Sequence, residues 1–356
     1  MIKKECFTAE WIEQVSSELH YNDKNLIEKV IRALSLLEML VKAGCPLVFK
    51  GGTALMLILG KSAHRLSIDI DLICPPGTNI EDYLKSFADF GFINLELVER
   101  KQRDDADIPK SHSKFFYQIA YRNDTDAQSY ILLDVLYEDI HYFRTQQIAI
   151  NCPFIRLEGK PLMVTVPSAE DILGDKLTAF APNTTGIPYY RNGRSCSMEI
   201  AKQLYDVGRL FENVSDLQIT KEAFRKIAVV ELSYRSFGTD IGQVFNDIRQ
   251  TALCISTRGK AGEGDFDLIQ DGIIRVKSFM YKQRYLIDHA IIDAARAAYL
   301  ATLIEKGINE IESYSNNPAD IKDMVIRPSL PNKLNKLRSN LPEAYYWAKT
   351  SELLEA

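Results

Sequence analysis

Residues 50–72 read KGGTALMLILGKSAHRLSIDIDL, with a glycine pair at Gly51 and Gly52 and two aspartates one residue apart, Asp69 and Asp71, in an apolar run. Successive side chains of a strand point to opposite faces, so Asp69 and Asp71 share one face with Ser67 while Ile68, Ile70 and Leu72 fill the other. Two like charges at that separation on a half-buried strand are costly, and a divalent cation that prefers oxygen ligands, Mg²⁺ or Mn²⁺, is the usual remedy. With the glycine pair close by in sequence, the chemistry suggested is a metal-dependent site for a nucleoside triphosphate.

Asp134 is the single charge in YILLDVLY, a run of aliphatic and aromatic residues. Alone it reads as a buried carboxylate bonded to backbone or to an arginine. Beside Asp69 and Asp71 it reads as a third ligand on an adjacent strand. Three such carboxylates can hold two metal ions, one acting on an attacking hydroxyl and the other on the triphosphate.

Gly51 and Gly52 let the backbone approach a phosphate, and a helix starting near Thr53 turns its amide N–H groups and positive dipole end toward it. Glycines at a strand-to-helix turn also occur for steric reasons alone. The LGKS segment at 59–62 is not a phosphate loop of the G-x-x-x-x-G-K-S/T type, because Leu55 stands where glycine is required. Arg65 could reach a phosphate and Ser67 could orient a ligand, or both could only shape the turn. Lys176 interrupts the apolar stripe of EDILGDKLTAF, where a lysine either meets an anion or runs along the core edge to water. Asp206 in KQLYDVGRL reads as an ordinary ion pair or as a site residue. His20, His112 and His141 have no metal-like spacing, and neither does the pair His64 and His289.

The elements that must position these residues follow from periodicity. Residues 8–43 have helical spacing and close on Gly44 and Pro46. PLVF at 46–49 is a short strand, 53–59 a helix, and strands are expected at 67–73, 93–98, 115–121 and 130–137, with a helix near 79–90. Residues 99–114, ERKQRDDADIPKSHSK, read as a solvated loop, with a substrate-contacting loop as the alternative. Beyond Pro167 the pattern is helical, interrupted by PNTTGIPYYRNGRS (182–195) and by TRGKAGEG (257–264), read as a flexible insert. The expected fold is an α/β (α+β) lobe with a mixed β-sheet over residues 1–166, followed by a mainly helical lobe over 167–356.

The chain has 356 residues, enough for two domains at roughly 100–200 residues each. At 46% hydrophobic and 26% charged it has the composition of a globular protein, which excludes a disordered chain. A net charge of −5 argues against indiscriminate nucleic-acid binding but leaves room for a local basic cleft. Six scattered cysteines without C-x-x-C spacing indicate neither a zinc site nor a disulfide framework. No run approaches the ~18 apolar residues of a membrane span, and the N-terminus lacks a signal core, so a cytoplasmic protein is expected.

FKGGTALML followed by RLSIDIDL resembles the signature of the AbiEii/AbiGii toxin family, minimal nucleotidyltransferases related to DNA polymerase β. Asp134 matches the family's third carboxylate, Lys176 its helical lysine, and QLYDV its later segment with the aspartate at Asp206. The resemblance covers residues 45–210. The chain departs from the pattern at Leu132, where the family often has lysine, and at Lys202-Gln203, where it usually has Arg-Asp.

The resemblance implies a metal-dependent nucleotidyltransferase that moves an NMP from an NTP to an acceptor, with a tRNA 3′ end as one candidate. It also implies a toxin component of a toxin–antitoxin or abortive-infection system, with a separately encoded antitoxin. In that scheme Asp69, Asp71 and Asp134 hold the metals, Gly51, Gly52, Thr53, Arg65, Ser67 and Asp206 bind the nucleotide, and Lys176 neutralises triphosphate charge. The alternatives are a nucleotide-responsive binding protein without catalysis, an enzyme that modifies protein instead of RNA, and carboxylates with a purely structural role.

Overall fold

The structure is a computed structural model that describes residues 1–98, 110–121, 127–214, 216–235, 238 and 240–356. It divides into two compact units, residues 1–168 with 278–284, and residues 169–277 with 285–356.

The first unit opens with two amphipathic helices. Helix α1 (Ala9–Leu19) is capped by Thr8, whose side chain accepts from the Trp11 amide, and α2 (Lys24–Lys42) by Asp23, which accepts from the Leu26 amide. Helix α2 leaves through Gly44, whose left-handed φ of 76° fits glycine. Strand β1 (Val48–Lys50) then runs straight into α3 (Gly51–Leu59). Strands β2 (Ile70–Cys74), β3 (Asn94–Val98), β4 (Lys110–Gln118) and β5 (Gln128–Tyr137) complete a five-stranded sheet of order β1-β2-β5-β4-β3. The β2–β5 ladder is parallel and the other three are antiparallel. The sheet is therefore mixed, as expected.

Alternation gives the sheet two unlike faces. Ile70, Leu72, Phe115, Tyr117, Ile131, Leu133 and Val135 are buried in one core with the apolar stripe of α2. The opposite face carries Asp71, Asp134, His112, Lys114 and Tyr130, which are half-buried or exposed. Two-residue periodicity thus sends hydrophobes to α2 and polar side chains to the other side.

The structure corrects several sequence expectations. The expected helix at 79–90 is two short 3₁₀ turns, Ile80–Tyr83 and Phe87–Phe90, because apolar residues three and four apart suit either winding. Strand β2 starts at Ile70, so Ser67, Ile68 and Asp69 lie in a segment ahead of the ladder. Strand β4 runs over Lys110–Gln118 instead of 115–121, so the last five residues of the expected 99–114 loop belong to the sheet; residues 99–109 lie outside the described residues. Strands β6 (Thr145–Ala149) and β7 (Met163–Pro167) form a further antiparallel pair that the sequence reading did not anticipate. The returning segment 278–284 lies along residues 64–66, with the Leu66 amide donating to the Phe279 carbonyl, the Tyr281 amide to the His64 carbonyl, and a bridge between Arg65 and Met280.

The second unit is mainly helical: α4 (Ala169–Ala179), α5 (Ser197–Phe211), α6 (Leu217–Tyr234), α7 (Gly242–Ser256), α8 (Phe266–Val276), α9 (Ile287–Lys306), the short α10 (Leu337–Asn340) and α11 (Tyr346–Glu355). Between α4 and α5, Tyr190–Arg191 and Arg194–Ser195 form a small two-stranded ladder, β8 and β9. Helix α9 packs against α5, α7 and α11, and its alanines 290, 294, 295, 297, 298 and 301 are fully buried, which lets neighbouring helices approach on several sides. The TRGKAGEG segment folds back on α7, the Ala261 amide donating to Thr257 Oγ1 and the Glu263 amide to the Gln250 carbonyl.

Candidate active site

One row of the first unit's sheet holds most of its half-buried charge. Lys50 of β1 is the register partner of Asp71 of β2, Asp71 of Asp134 of β5, and Asp134 of His112 of β4. Register partners on adjacent strands project from the same face, so Asp71 and Asp134 stand side by side at the sheet's spacing of about 4.8 Å. His112 Nδ1 lies 2.5 Å from Asp134 Oδ1. A carboxylate only accepts, so the imidazole nitrogen carries the proton and donates. The imidazole is 10% exposed and the carboxylate 35%.

Asp69 precedes this row by two residues, and its carbonyl accepts from Thr53 Oγ1 at 2.7 Å. That bond ties the start of α3 to the approach to β2. It also commits the fully buried Thr53 hydroxyl to the protein, so any phosphate contact from Thr53 falls to its backbone amide. Lys29 of α2 feels the Asp69 charge: burial pushes its ammonium below the ordinary lysine range, and Asp69 and Asp23 pull it partly back. The Lys29 and Lys114 ammonium groups lie 5.6 and 5.5 Å from the centre of the Tyr130 ring. Lys114 is the register partner of Leu132.

The glycine pair touches the same row. Gly51 has φ 79°, and a Cβ there would come 2.1 Å from Asp71 Oδ2. A Cβ on Gly52 would come 2.7 Å from Ser67 Oγ and 2.9 Å from Arg65 Nη2. Only glycine lets the start of α3 lie against Asp71, Ser67 and Arg65 together. The Arg65 guanidinium is buried, and its Nη1 donates to the Leu66 carbonyl at 3.0 Å.

Lys176 and Asp206 belong to the second unit, where they form a buried ion pair at 3.0 Å with side chains 8% and 3% exposed. Lys176 Nζ also donates to Gln203 Oε1 at 2.9 Å. The charge in the apolar stripe of α4 therefore meets an anion supplied by α5, instead of running to water.

Whether the row suits a cation turns on its donors. Asp71 and Asp134 offer hard carboxylate oxygens side by side, the kind of donor Mg²⁺ and Mn²⁺ take. Among the described residues no group of three or more His, Cys, Asp and Glu side chains is arranged as a ready-made metal cage. The fit is that of a partial, carboxylate-only site, which suits an ion that also takes oxygens from a phosphate-bearing ligand.

His112 went unrecognised in the sequence because it closes a highly charged stretch. The signal was the alternation of His112, Lys114 and Phe116 with Ser113, Phe115 and Tyr117, which marks β4 and places the histidine on the polar face.

The description "Nucleotidyl transferase AbiEii toxin, Type IV TA system" matches residues 34–320, most of the chain. The chain belongs to the AbiEii family. This AbiEii chain is a nucleotidyltransferase of a toxin family of type IV toxin–antitoxin systems. Among curated proteins no relative matches it. Similar solved structures include JHP933 from Helicobacter pylori, at 14% identity and TM-score 0.39, with 86% of this chain and 95% of that one covered. Another is MenT4, a nucleotidyltransferase toxin from Mycobacterium tuberculosis H37Rv, at 12% identity and TM-score 0.43, with 96% of this chain and 98% of that one covered. No helix among the described residues of the AbiEii chain is long and apolar enough to cross a membrane.

Proposed function

We propose that this AbiEii chain transfers a nucleoside monophosphate from an NTP to an acceptor hydroxyl, with Asp71 and Asp134 at the reacting centre. The observation that carries the reading is their register on adjacent parallel strands beside the Gly51-Gly52 turn. The acceptor oxygen attacks the α-phosphorus, the bond from that phosphorus to the bridging oxygen breaks, and pyrophosphate leaves. Asp134 takes the hydroxyl proton. The first backbone amides of α3, at Gly51, Gly52 and Thr53, bind the terminal phosphates with the helix dipole, and the Arg65 guanidinium adds positive charge beside Gly52.

Asp69, Asp71 and Asp134 would hold the divalent cation, Mg²⁺ or Mn²⁺. Such a cation supplies positive charge to the triphosphate and eases ionisation of the attacking hydroxyl. Lys176 and Asp206 are proposed as site residues on the family pattern alone; within the second unit the Asp206 carboxylate holds the ammonium in place. Ser67 shapes the Gly52 contact. The acceptor we favour is a tRNA 3′ end, and the partner is a separately encoded antitoxin; both rest on the family.

The test is incubation of the protein with each α-³²P-labelled NTP, Mg²⁺ and a mixture of RNA and protein, resolved on denaturing gels. Label on an RNA band that disappears with Asp71→Asn supports the reading. Label on a protein band moves the acceptor to polypeptide. Absence of any labelled product with all four nucleotides, while calorimetry records NTP binding, supports a nucleotide-responsive binder instead.

A further inference from the structure

We propose that His112 is a positioning residue for the transfer reaction, its Nδ1–H holding Oδ1 of Asp134 so that Oδ2 alone takes the acceptor proton. The inference rests on the reading that Asp134 works in transfer. Three observations support it. The two residues are direct register partners, so the contact is fixed by the β4–β5 ladder and not by the chance reach of long side chains. The contact at 2.5 Å joins a largely buried imidazole to a part-exposed carboxylate, so the histidine is the anchored member and the aspartate the one open to a substrate. Among the described residues Oδ1 makes the one hydrogen bond of this carboxylate, and Oδ2 makes none.

The physical need is specific. The terminal torsion of aspartate is broad and nearly two-fold, so a carboxylate with no second contact presents either oxygen over a wide range of angles. One donated hydrogen bond from a rigid ring removes that freedom. A base displaced by about an ångström can lose on the order of 10²-fold in rate, which sets the size of the effect to look for. The neighbouring groups on β4 do not supply the contact: Ser111 Oγ pairs with the Tyr137 hydroxyl at 2.7 Å, and Lys114 pairs with Glu96 at 3.5 Å.

The test compares His112→Ala, His112→Asn and His112→Gln with Asp134→Asn. An asparagine amide nitrogen reaches where Nδ1 stood, whereas the glutamine amide reaches toward the position of Nε2. His112→Ala is expected to lose about 10²-fold in kcat with little change in KM for the NTP, His112→Asn to recover most of that loss, and His112→Gln little of it. A second readout needs neither metal nor nucleotide. An imidazole ¹H–¹⁵N correlation of the protein alone should show a downfield Nδ1 proton on His112 that moves upfield in Asp134→Asn, whose neutral amide oxygen accepts more weakly.

Wild-type kcat in His112→Ala, with Asp134→Asn inactive, would overturn the role of His112 and leave the transfer reading intact. Wild-type kcat in Asp134→Asn would overturn the transfer reading itself. Should His112→Ala fail to fold, equal rates in the asparagine and glutamine variants would overturn the positioning role.

Discussion

Asp71 and Asp134 are register partners across the parallel β2–β5 ladder, and both lie on the face of the sheet turned away from α2. Like charges directly opposite on a sheet are destabilising, an effect that Lys50 beside Asp71 and the His112 bond to Asp134 offset in part. Asp134→Asn, which removes the proposed base, is expected to lower turnover by about 10²–10⁴-fold, and Asp71→Asn to lower it strongly by removing an oxygen ligand for the divalent cation. The melting temperature should hold or rise slightly. Turnover measured beside a thermal melt checks this, and a variant that loses activity only by unfolding would contradict it.

Gly44 and Gly51 offer a controlled comparison. Both have φ near the left-handed region, 76° and 79°, but an added Cβ meets nothing within 4 Å at Gly44 and meets Asp71 Oδ2 at 2.1 Å at Gly51. Gly44→Ala and Gly51→Ala should share a backbone cost of about 1–2 kcal/mol in denaturant unfolding. Only Gly51→Ala should also displace Asp71 and abolish transfer. Equal activity in the two variants would separate the glycine turn from the site.

The buried pair of Lys176 and Asp206 separates folding from function. Removing one partner of such a pair strands the other charge, at about 3–5 kcal/mol, whereas replacing both with apolar residues is often neutral. Lys176→Met should therefore destabilise the protein strongly, and Lys176→Met with Asp206→Leu should recover most of the loss. As a proposed site residue, Lys176 also predicts that the recovered double variant still falls by about 10²-fold in turnover. Wild-type turnover in that variant would assign the pair to folding alone.

Glu28 of α2 accepts from the Ala120 amide at 3.1 and 3.2 Å and pairs with Arg32 at 3.2 Å. Burial nonetheless raises its carboxyl above the ordinary value of 4.5, the Arg32 charge and the Ala120 bond offsetting only part of the effect. A raised folded pKa means that the stability it contributes is fully present below 4.5 and is lost as pH rises through the folded value. Relative to Glu28→Gln, the wild-type chain should lose stability over that window and hold level above it. Urea unfolding of both proteins across the range checks the sign.

The carboxylates were legible because a strand repeats every two residues: SIDIDL sets Asp69 and Asp71, and YILLDVLY sets Asp134, against aliphatic neighbours, and the ladder puts Asp71 and Asp134 in register. The mixed sheet and the helical second half followed from the same periodicities. His112 was not legible, because the charged stretch before β4 hid where alternation begins. The Lys176–Asp206 pair was not legible either, since helical spacing describes neighbours on one helix and these residues lie on α4 and α5. Short 3₁₀ turns at 80–90 share their apolar spacing with an α-helix, so sequence alone could not separate them. The return of 278–284 to the first unit rests on backbone hydrogen bonds to residues 64–66 and on Tyr281 packing against Phe154, contacts distant in sequence that local periodicity does not encode.

The most direct measurement follows the label from α-³²P and γ-³²P forms of the preferred NTP in the wild-type protein and in Asp134→Asn. The account predicts that α-label ends on the acceptor and γ-label in pyrophosphate, both only with the wild-type carboxylate. Transfer of the γ-label to the acceptor, or undiminished α-label transfer by Asp134→Asn, would contradict it.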